Sequence, residues 1–247
     1  MAEIIGNNII KIMKVDSTNN YASEKLVKNG CEEGTVVYAG EQSCGRGQLN
    51  NKWESEPLKN ILFSIVLYPE FLPIPQQFLL SKVVALGLAD VVSMYVDEVT
   101  IKWPNDIYIG NKKIAGILIE NAIMGNVLGS SVVGIGLNIN QLEYVGGAPN
   151  PVSLASVTGR FYELEQIFSL LIEAIDKWYI LLKEGFVDLI NQRYVEQLYR
   201  FGLKADYRDK TGVFAGEITG VNEIGQLQIR LLNGDIRTYH FKEVSFL

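Results

Sequence analysis

Residues 60–69 read NILFSIVLYP. Hardly a polar group interrupts the run, so it predicts a strand buried on both faces, which needs a sheet covered on both sides. Its neighbours extend the pattern. NNIIKIMKV alternates, GTVVYAGEQ is rich in β-branched residues, VTIKW stops at Pro104, and DIYIGNKKIAGILIEN reads as a hairpin turning at Gly110-Asn111. NVLGSSVVGIGLNIN adds another strand, making at least six. Two early helices accompany them. Asp16, Ser17 and Thr18 offer capping side chains to a helix over 19–28 closed by Gly30, and Pro75 opens an apolar helix over about 76–95. Farther on, ELEQIFSLLIEAIDKWYILLKEG sets Phe168, Leu171, Ile172, Ile175, Tyr179 and Leu182 on one helical face; Gly185 breaks it and a further helix runs to about Leu198. From Lys204 the period shortens. KADYRD, VFAGEITGVN, QLQIRLL and IRTYHF, joined by KTG, EIG and NGD turns, read as a small β-barrel. The expected class is α+β: a mixed sheet with helices packed on it over residues 1–200, and a small barrel over 201–247.

Composition removes several chemistries. One histidine, His240, lies in an alternating C-terminal strand, and there are two cysteines, Cys31 and Cys44. A Ser-His-Asp triad, a His-rich metal site and a disulfide framework are therefore disfavoured. A net charge of −6 argues against broad nucleic-acid binding. The chain has no run of 18 apolar residues and no signal-peptide pattern at its start, which gives a cytoplasmic, non-membrane expectation. Any catalysis would rest on positioning and on lysine and arginine charge.

Five polar clusters sit where strands end: DSTNN (16–20), EQSCGRGQLNNKW (41–53), KWPNDIY (102–108), KIAGILIE (113–120) and GIGLNIN (134–140). In the second, Gly45 and Gly47 flank Arg46, presenting N–H groups and a guanidinium to an anion such as a phosphate. It lacks the spacing of a Walker loop and of a dinucleotide fingerprint. An ordinary surface loop pinned by Trp53 is the competing reading. Lys113 enters an apolar strand in which Gly116 would allow close approach of a ligand or of backbone; a snorkelling edge lysine reads equally well from the sequence.

Taken together, the clusters resemble the biotin protein ligases. That family's G-R-G-R-x-G-R-x-W loop is similar to GRGQLNNKW. Its K-W-P-N-D stands intact at 102–106, K-L-A-G-I-L as KIAGIL at 113–118, G-x-G-x-N as GIGLN at 134–138, and S-T-N at 17–19. The resemblance runs over nearly the whole chain. It implies a class II synthetase-like catalytic domain followed by an SH3-like barrel, and a ligase that turns biotin and Mg-ATP into biotinyl-5'-AMP. The biotin would pass to a lysine of a biotin carboxyl-carrier domain of an acyl-CoA carboxylase. By the family pattern, Lys113 would contact the biotin carboxylate and α-phosphate, and Arg46 would hold the phosphate. Ser17, Thr18, Asn19 and Gln42 would bind biotin, with Gly45, Gly116, Gly134 and Gly136 giving backbone access. Gly47, Gln48, Trp53, Asn105, Asp106 and Asn138 would form the nucleotide side, with Mg²⁺ near Asp106. The loop would fold over the adenylate and keep water off it.

Two departures qualify the match. Gln48, Asn50 and Asn51 replace two arginines and a glycine of the family loop, which implies weaker retention of the adenylate. The first strand begins within ten residues of the start, so a DNA-binding domain and direct DNA binding are not expected. A homodimer joined edge to edge is left open, with NVLGSSVVGIGLNIN as the candidate edge. The alternatives are a lipoate or octanoate ligase, whose R-R-x-x-G-G motif is missing here, and a non-catalytic biotin-binding regulator.

Overall fold

The alternating strand Ile9–Val15 (β1) runs directly into the first polar cluster in the computed structural model, which describes residues 4–48, 51–146 and 150–247. Asn50 lies outside the described residues. After β1 come α1 (Thr18–Tyr21), which continues as a π-helical stretch Ala22–Val27, then β2 (Val36–Gln42) and β3 (Ile61–Leu67). A 3₁₀ turn, Ile74–Gln76, introduces α2 (Phe78–Val92), followed by β4 (Val99–Lys102), β5 (Asp106–Ile109), β6 (Lys112–Met124) and β7 (Val127–Leu137). Then come α3 (Leu154–Thr158), α4 (Leu164–Lys183) and α5 (Val187–Glu196), and finally β8 (Lys204–Asp209), β9 (Gly212–Val221), β10 (Leu227–Leu231), β11 (Ile236–Tyr239) and β12 (Ser245–Phe246).

The first seven strands form one mixed sheet in the order β1-β2-β3-β7-β6-β5-β4, parallel only between β1 and β2. Period-2 alternation divides its faces. Ile61, Phe63, Ile65 and Leu67 of β3, with Val133, Ile135 and Leu137 of β7, join the main core under α2 and α4. Val66 and Val132 point the other way, where they pack with Ala22. The residues next to them on that face are Ser64, Gly134, Gly136 and Gly116, placed by the register Ser64↔Gly134 and Gly116↔Gly136. The three glycines therefore leave a low floor on the second face, beside Leu62 and Leu118.

The helix stripe expected on α4 is buried in full: Phe168, Leu171, Ile172, Ile175, Tyr179 and Leu182 all enter the core. Each such side chain contributes about 1.5–3 kcal/mol relative to exposure. α2 lies close enough to α4 that a Cβ on Gly87 would stand 2.8 Å from Ile175 Cγ1. Trp178 Nε1 donates to Asp90 across the same contact at 2.8 Å.

The sequence reading needs three corrections here. β7 is not an edge strand: it is hydrogen-bonded to both β3 and β6, and the edges are β1 and β4. Nearly every β7 residue from Leu128 onward is buried, which suits an interior position. The helix over 19–28 is one α-turn followed by π-helix, with Ser17 at the cap position but without a side-chain cap bond. Between β7 and α4 lies a short helix that the sequence pattern does not mark, α3, capped reciprocally by Ser153 and Ser156 and ended by left-handed Gly159.

The last five strands form a second antiparallel sheet, ordered β11-β10-β9-β8-β12, around Tyr207, Ile218, Leu227, Ile229 and Tyr239. It leans on the first unit through Trp103, whose Nε1 donates to the Gly225 carbonyl at 2.9 Å and whose ring meets Phe241 edge-on.

Candidate active site

A cleft of about 640 Å³ opens on the second face of the large sheet. Its floor is Gly116, Gly134 and Gly136; its walls are the 16–20 turn, the 42–53 loop, the 102–106 turn, and residues 241–246 of the C-terminal sheet. All the sequence-predicted site residues line it except Gly45 and Asn138.

At one end the polar groups are buried and mutually fixed. Ser17, Thr18 and Asn19 are each no more than 3% exposed. The Thr18 backbone N–H and hydroxyl both donate to Gln42 Oε1, at 2.7 and 3.1 Å. Ser64 Oγ, arriving from β3, stands 2.7 Å from both Thr18 Oγ1 and Asn19 Oδ1. Asn19 Nδ2 donates to Glu120 at 2.8 Å. Gly134 must be bare, because a Cβ there would lie 2.1 Å from Asn19 Oδ1. Such preset donors and acceptors discriminate strongly against a ligand that cannot match them.

The loop closes on itself: Gly47 N–H donates to Asn51 O at 2.7 Å and Trp53 N–H to Gly45 O at 2.9 Å. A Cβ on Gly45 would meet Trp53 O at 2.5 Å, so this glycine serves loop closure and lines the smaller concavity on the loop's other side. The Trp53 indole lies across the glycine floor: a Cβ on Gly136 would stand 2.4 Å from its Cε2, and one on Gly116 3.0 Å from its Cζ3. Trp53 Nε1 and Gln48 Oε1 are buried without a protein partner. Both are groups a ligand could satisfy.

Four cations, Arg46, Lys102, Lys113 and Lys242, line the cleft with the carboxylate of Asp106, and Glu120 stands behind Arg46. In a chain of net charge −6 this concentrates positive potential where an anion would enter. Lys113 Nζ pairs with Asp106 at 2.7 Å and stands 5.6 Å from the Trp53 ring centroid. Lys102 is enclosed by the rings of Tyr108, Tyr199 and Phe246, and donates to Tyr108 OH at 3.2 Å. Burial holds its pKa below the ordinary lysine value, with Asp106 opposing the shift. Burial also pushes the Tyr108 phenol up to about 12. The turn between Lys102 and Asp106 contains a cis Trp103–Pro104 bond, and Asn105 clasps Ile117 of β6 through both its backbone carbonyl and its side-chain amide. No group of three metal-ligating side chains occurs among the described residues. A Mg²⁺ ion carried by phosphates needs only one or two protein carboxylates, and Asp106 is so placed.

Asn138 is located differently. Its Nδ2 donates to Val152 O at 3.1 Å and its backbone ties β6 to α3, leaving Oδ1 buried and unpartnered. Four contributors were not singled out from sequence: Ser64, Lys102, Glu120 and the 241–246 wall. Lys102 could have been found, since it belongs to the KWPND cluster. Glu120 binds Arg46 across 74 residues, with Nη2–Oε1 at 2.6 Å and Nη1–Oε2 at 3.1 Å, which no local pattern reveals.

The model of the Biotin/lipoate A/B protein ligase family matches residues 12–138. The chain is 31% identical to the biotin--[acetyl-CoA-carboxylase] ligase of Paracoccus denitrificans, over 89% of this chain and 92% of that one. It is 30% identical to the bifunctional ligase/repressor BirA of Bacillus spizizenii, over 96% of this chain and 74% of that one. Among solved structures, the biotin protein ligase of Aquifex aeolicus in complex with biotin and ATP superposes with a TM-score of 0.82 at 25% identity, covering 98% and 99% of the two chains.

Proposed function

Because this chain belongs to the biotin/lipoate A/B protein ligase family, we propose that it is an ATP-dependent biotin–protein ligase, making biotinyl-5'-AMP and passing the biotin to a lysine of a carrier domain. The observation that carries this reading is one cleft holding both a buried, preset hydrogen-bonding end and a lysine-rich anion end, with a loop laid over the join.

Biotin's bicyclic head enters beside Ser17, Thr18, Asn19 and Gln42, whose donors and acceptors suit a ureido group. Its carboxylate then lies toward Lys113. A carboxylate oxygen attacks the α-phosphorus of ATP, the bond to the bridging oxygen breaks, and pyrophosphate leaves. Catalysis here is alignment and charge neutralisation. Lys113, released from Asp106, holds the carboxylate and the α-phosphate, while Arg46 addresses the same phosphate. Asp106 and Asn105 border the nucleotide side, where Asp106 would hold a Mg²⁺ that neutralises phosphate charge. Gly47, Gln48 and Trp53 cover the adenylate. In the second step an uncharged carrier lysine attacks the acyl carbonyl, AMP departs and the amide forms. The carrier is the biotin carboxyl-carrier domain of an acyl-CoA carboxylase. Residues 1–200 act as the catalytic unit; residues 201–247 act as a small second unit that lends the cleft its outer wall. Because the loop keeps one arginine, with Gln48 and Asn51 where the family has two more, its hold on the adenylate is weaker than in ligases carrying all three.

Biotin-dependent ATP–pyrophosphate exchange tests the reading, with octanoate and lipoate as control acids. Exchange with biotin alone is expected. Exchange with octanoate or lipoate would move the chain to the other branch of its family, and biotin binding without exchange would make it a binding protein. Replacing Lys113 with Ala should cut exchange by about 10²-fold, the scale for losing one transition-state charge stabiliser; a near-normal rate would remove Lys113 from the chemistry.

A further inference from the structure

We propose that Glu120 is a positioning residue for the loop over the cleft: a carboxylate post on the central sheet to which Arg46 is moored. This rests on the ligase reading for its consequence but not for its geometry. Arg46 gives Glu120 a two-pronged contact, at 2.6 and 3.1 Å, and donates to Asn20 Oδ1 at 2.8 Å. Apart from the loop's root, where Gln42 accepts from Thr18, Ser43 donates to Val15 O through its N–H and hydroxyl, and Cys44 N–H donates to Asp16 O, these are its hydrogen bonds to the 16–20 turn and the sheet among the described residues. Gln48 makes no side-chain acceptor bond there.

The post itself is held. Glu120 sits at Glu120↔Val132 in the β6–β7 register, and its Oε2 also accepts from Asn19 Nδ2 at 2.8 Å. Asn19 in turn is bound to Ser64, within the polar end proposed for biotin. One carboxylate thus joins the group that would sense biotin to the arginine of the lid. Glu120 need not let go for Arg46 to reach an anion. A guanidinium carries five N–H donors; the bonds to Glu120 and Asn20 occupy Nη1 and one side of Nη2, leaving Nε and the remaining Nη2 hydrogen for the cleft. Glu120 therefore orients Arg46, in the way partners behind a ligating group fix its direction.

The test uses the full chain with Glu120→Gln and Glu120→Asp. Two readouts are needed. The first is the rate of trypsin cleavage after Arg46 and Lys52 without ligand. The second is the rate at which biotinyl-AMP, formed from biotin and ATP, escapes during a chase with excess unlabelled biotin. Gln keeps a neutral acceptor for Asn19 but loses the charge, so cleavage and escape should both rise about two- to fivefold, the scale of a part-exposed ion pair. Asp, which retains the carboxylate, should fall between Gln and the unaltered chain, while the thermal midpoints of all three agree within a few degrees. Unchanged or slower escape from the Gln variant overturns the proposal, as does faster cleavage with unchanged escape. If Gln unfolds the protein, Asp alone must still show faster escape than the unaltered chain. Failure of the unaltered chain to form biotinyl-AMP would sink the ligase reading, and the cleavage rates would still judge the mooring.

Discussion

Replacing Gly136 with Ala isolates the contact between the loop and its floor. Gly136 lies outside the left-handed region, so an alanine fits its backbone, and at such a site the change alone would stabilise the fold by about 0.4–1 kcal/mol through the unfolded chain. The new methyl group instead meets the Trp53 indole, at 2.4 Å from Cε2 and 2.7 Å from Cζ2 and Nε1. Carbon atoms rest at about 3.5–4.0 Å, so the ring must withdraw by roughly an ångström. Overpacking of this kind costs about 1–3 kcal/mol. Trp53 stands on a loop rather than in the main core, so the cost falls on loop closure and not on folding. At 1.4 kcal/mol per factor of ten, the ratio of closed to open loop drops by roughly 5- to 150-fold. Apparent affinity for a ligand that needs the closed loop drops with it. The assay is the KM for biotin in pyrophosphate exchange, with a urea melt alongside: KM should rise within that range while the unfolding midpoint holds or increases. The same change is then made in a Trp53→Ala background, where the clash is gone and the added penalty should be near zero. An undiminished penalty in that background, or none in the native one, would refute the argument that Trp53 on bare glycine closes the site.

Lys82 supplies a pH test. It is buried, with its ammonium on Asn191 and over the Phe78 and Tyr194 rings, and burial lowers its pKa to about 8 from 10.5. A base whose folded pKa is depressed destabilises the fold while protonated in both states, below about pH 8, and ceases to do so as pH rises toward 10.5. The stability of the native chain minus that of Lys82→Met should therefore grow with pH between 7.5 and 10, by at most about 3 kcal/mol; a flat or falling difference in urea melts would reject it. Gly87→Ala should destabilise by about 1–3 kcal/mol despite the better helix propensity of alanine, because its Cβ would come within 3.0 Å of the Ile175 backbone and force α2 from α4. An unchanged urea midpoint would show that the helices can part freely.

The sequence was most informative where periodicity and burial coincide. β3 and α4 were read correctly because burial, on both faces of β3 and along one stripe of α4, governs their residue types. The five clusters were legible because their polar residues interrupt apolar strands, and the cleft indeed gathers members of each. What escaped was relational. Glu120 looks like the polar end of a strand until Arg46 arrives from another loop. Asn138 reads from the sequence as a ligand group, and no local pattern shows that its Nδ2 is bound to Val152 while Oδ1 is left unpartnered. β7 was read as an edge because strand order depends on pairing partners; Ser130 and Ser131 interrupt its apolar residues, and only the pairing with β3 and β6 shows that both its faces are buried. The π-helical turn after Tyr21 has no compositional mark, since it depends on which carbonyl each N–H selects once Ala22 is packed against Val37, Val66 and Val132.

The outer wall of the cleft, Phe241 to Phe246, has a consequence for timing. Thr18, at the inner end, leaves the ribosome long before Phe246. At about 5–20 residues per second the interval is roughly ten to fifty seconds. A nascent chain of the first 200 residues already holds the inner polar end, Lys113 and the loop, but neither Phe246 against Lys102 nor Gly225 to receive Trp103. Completion of the cleft thus waits on β12, and a chain interrupted before it carries Lys102 and Lys113 without that enclosure.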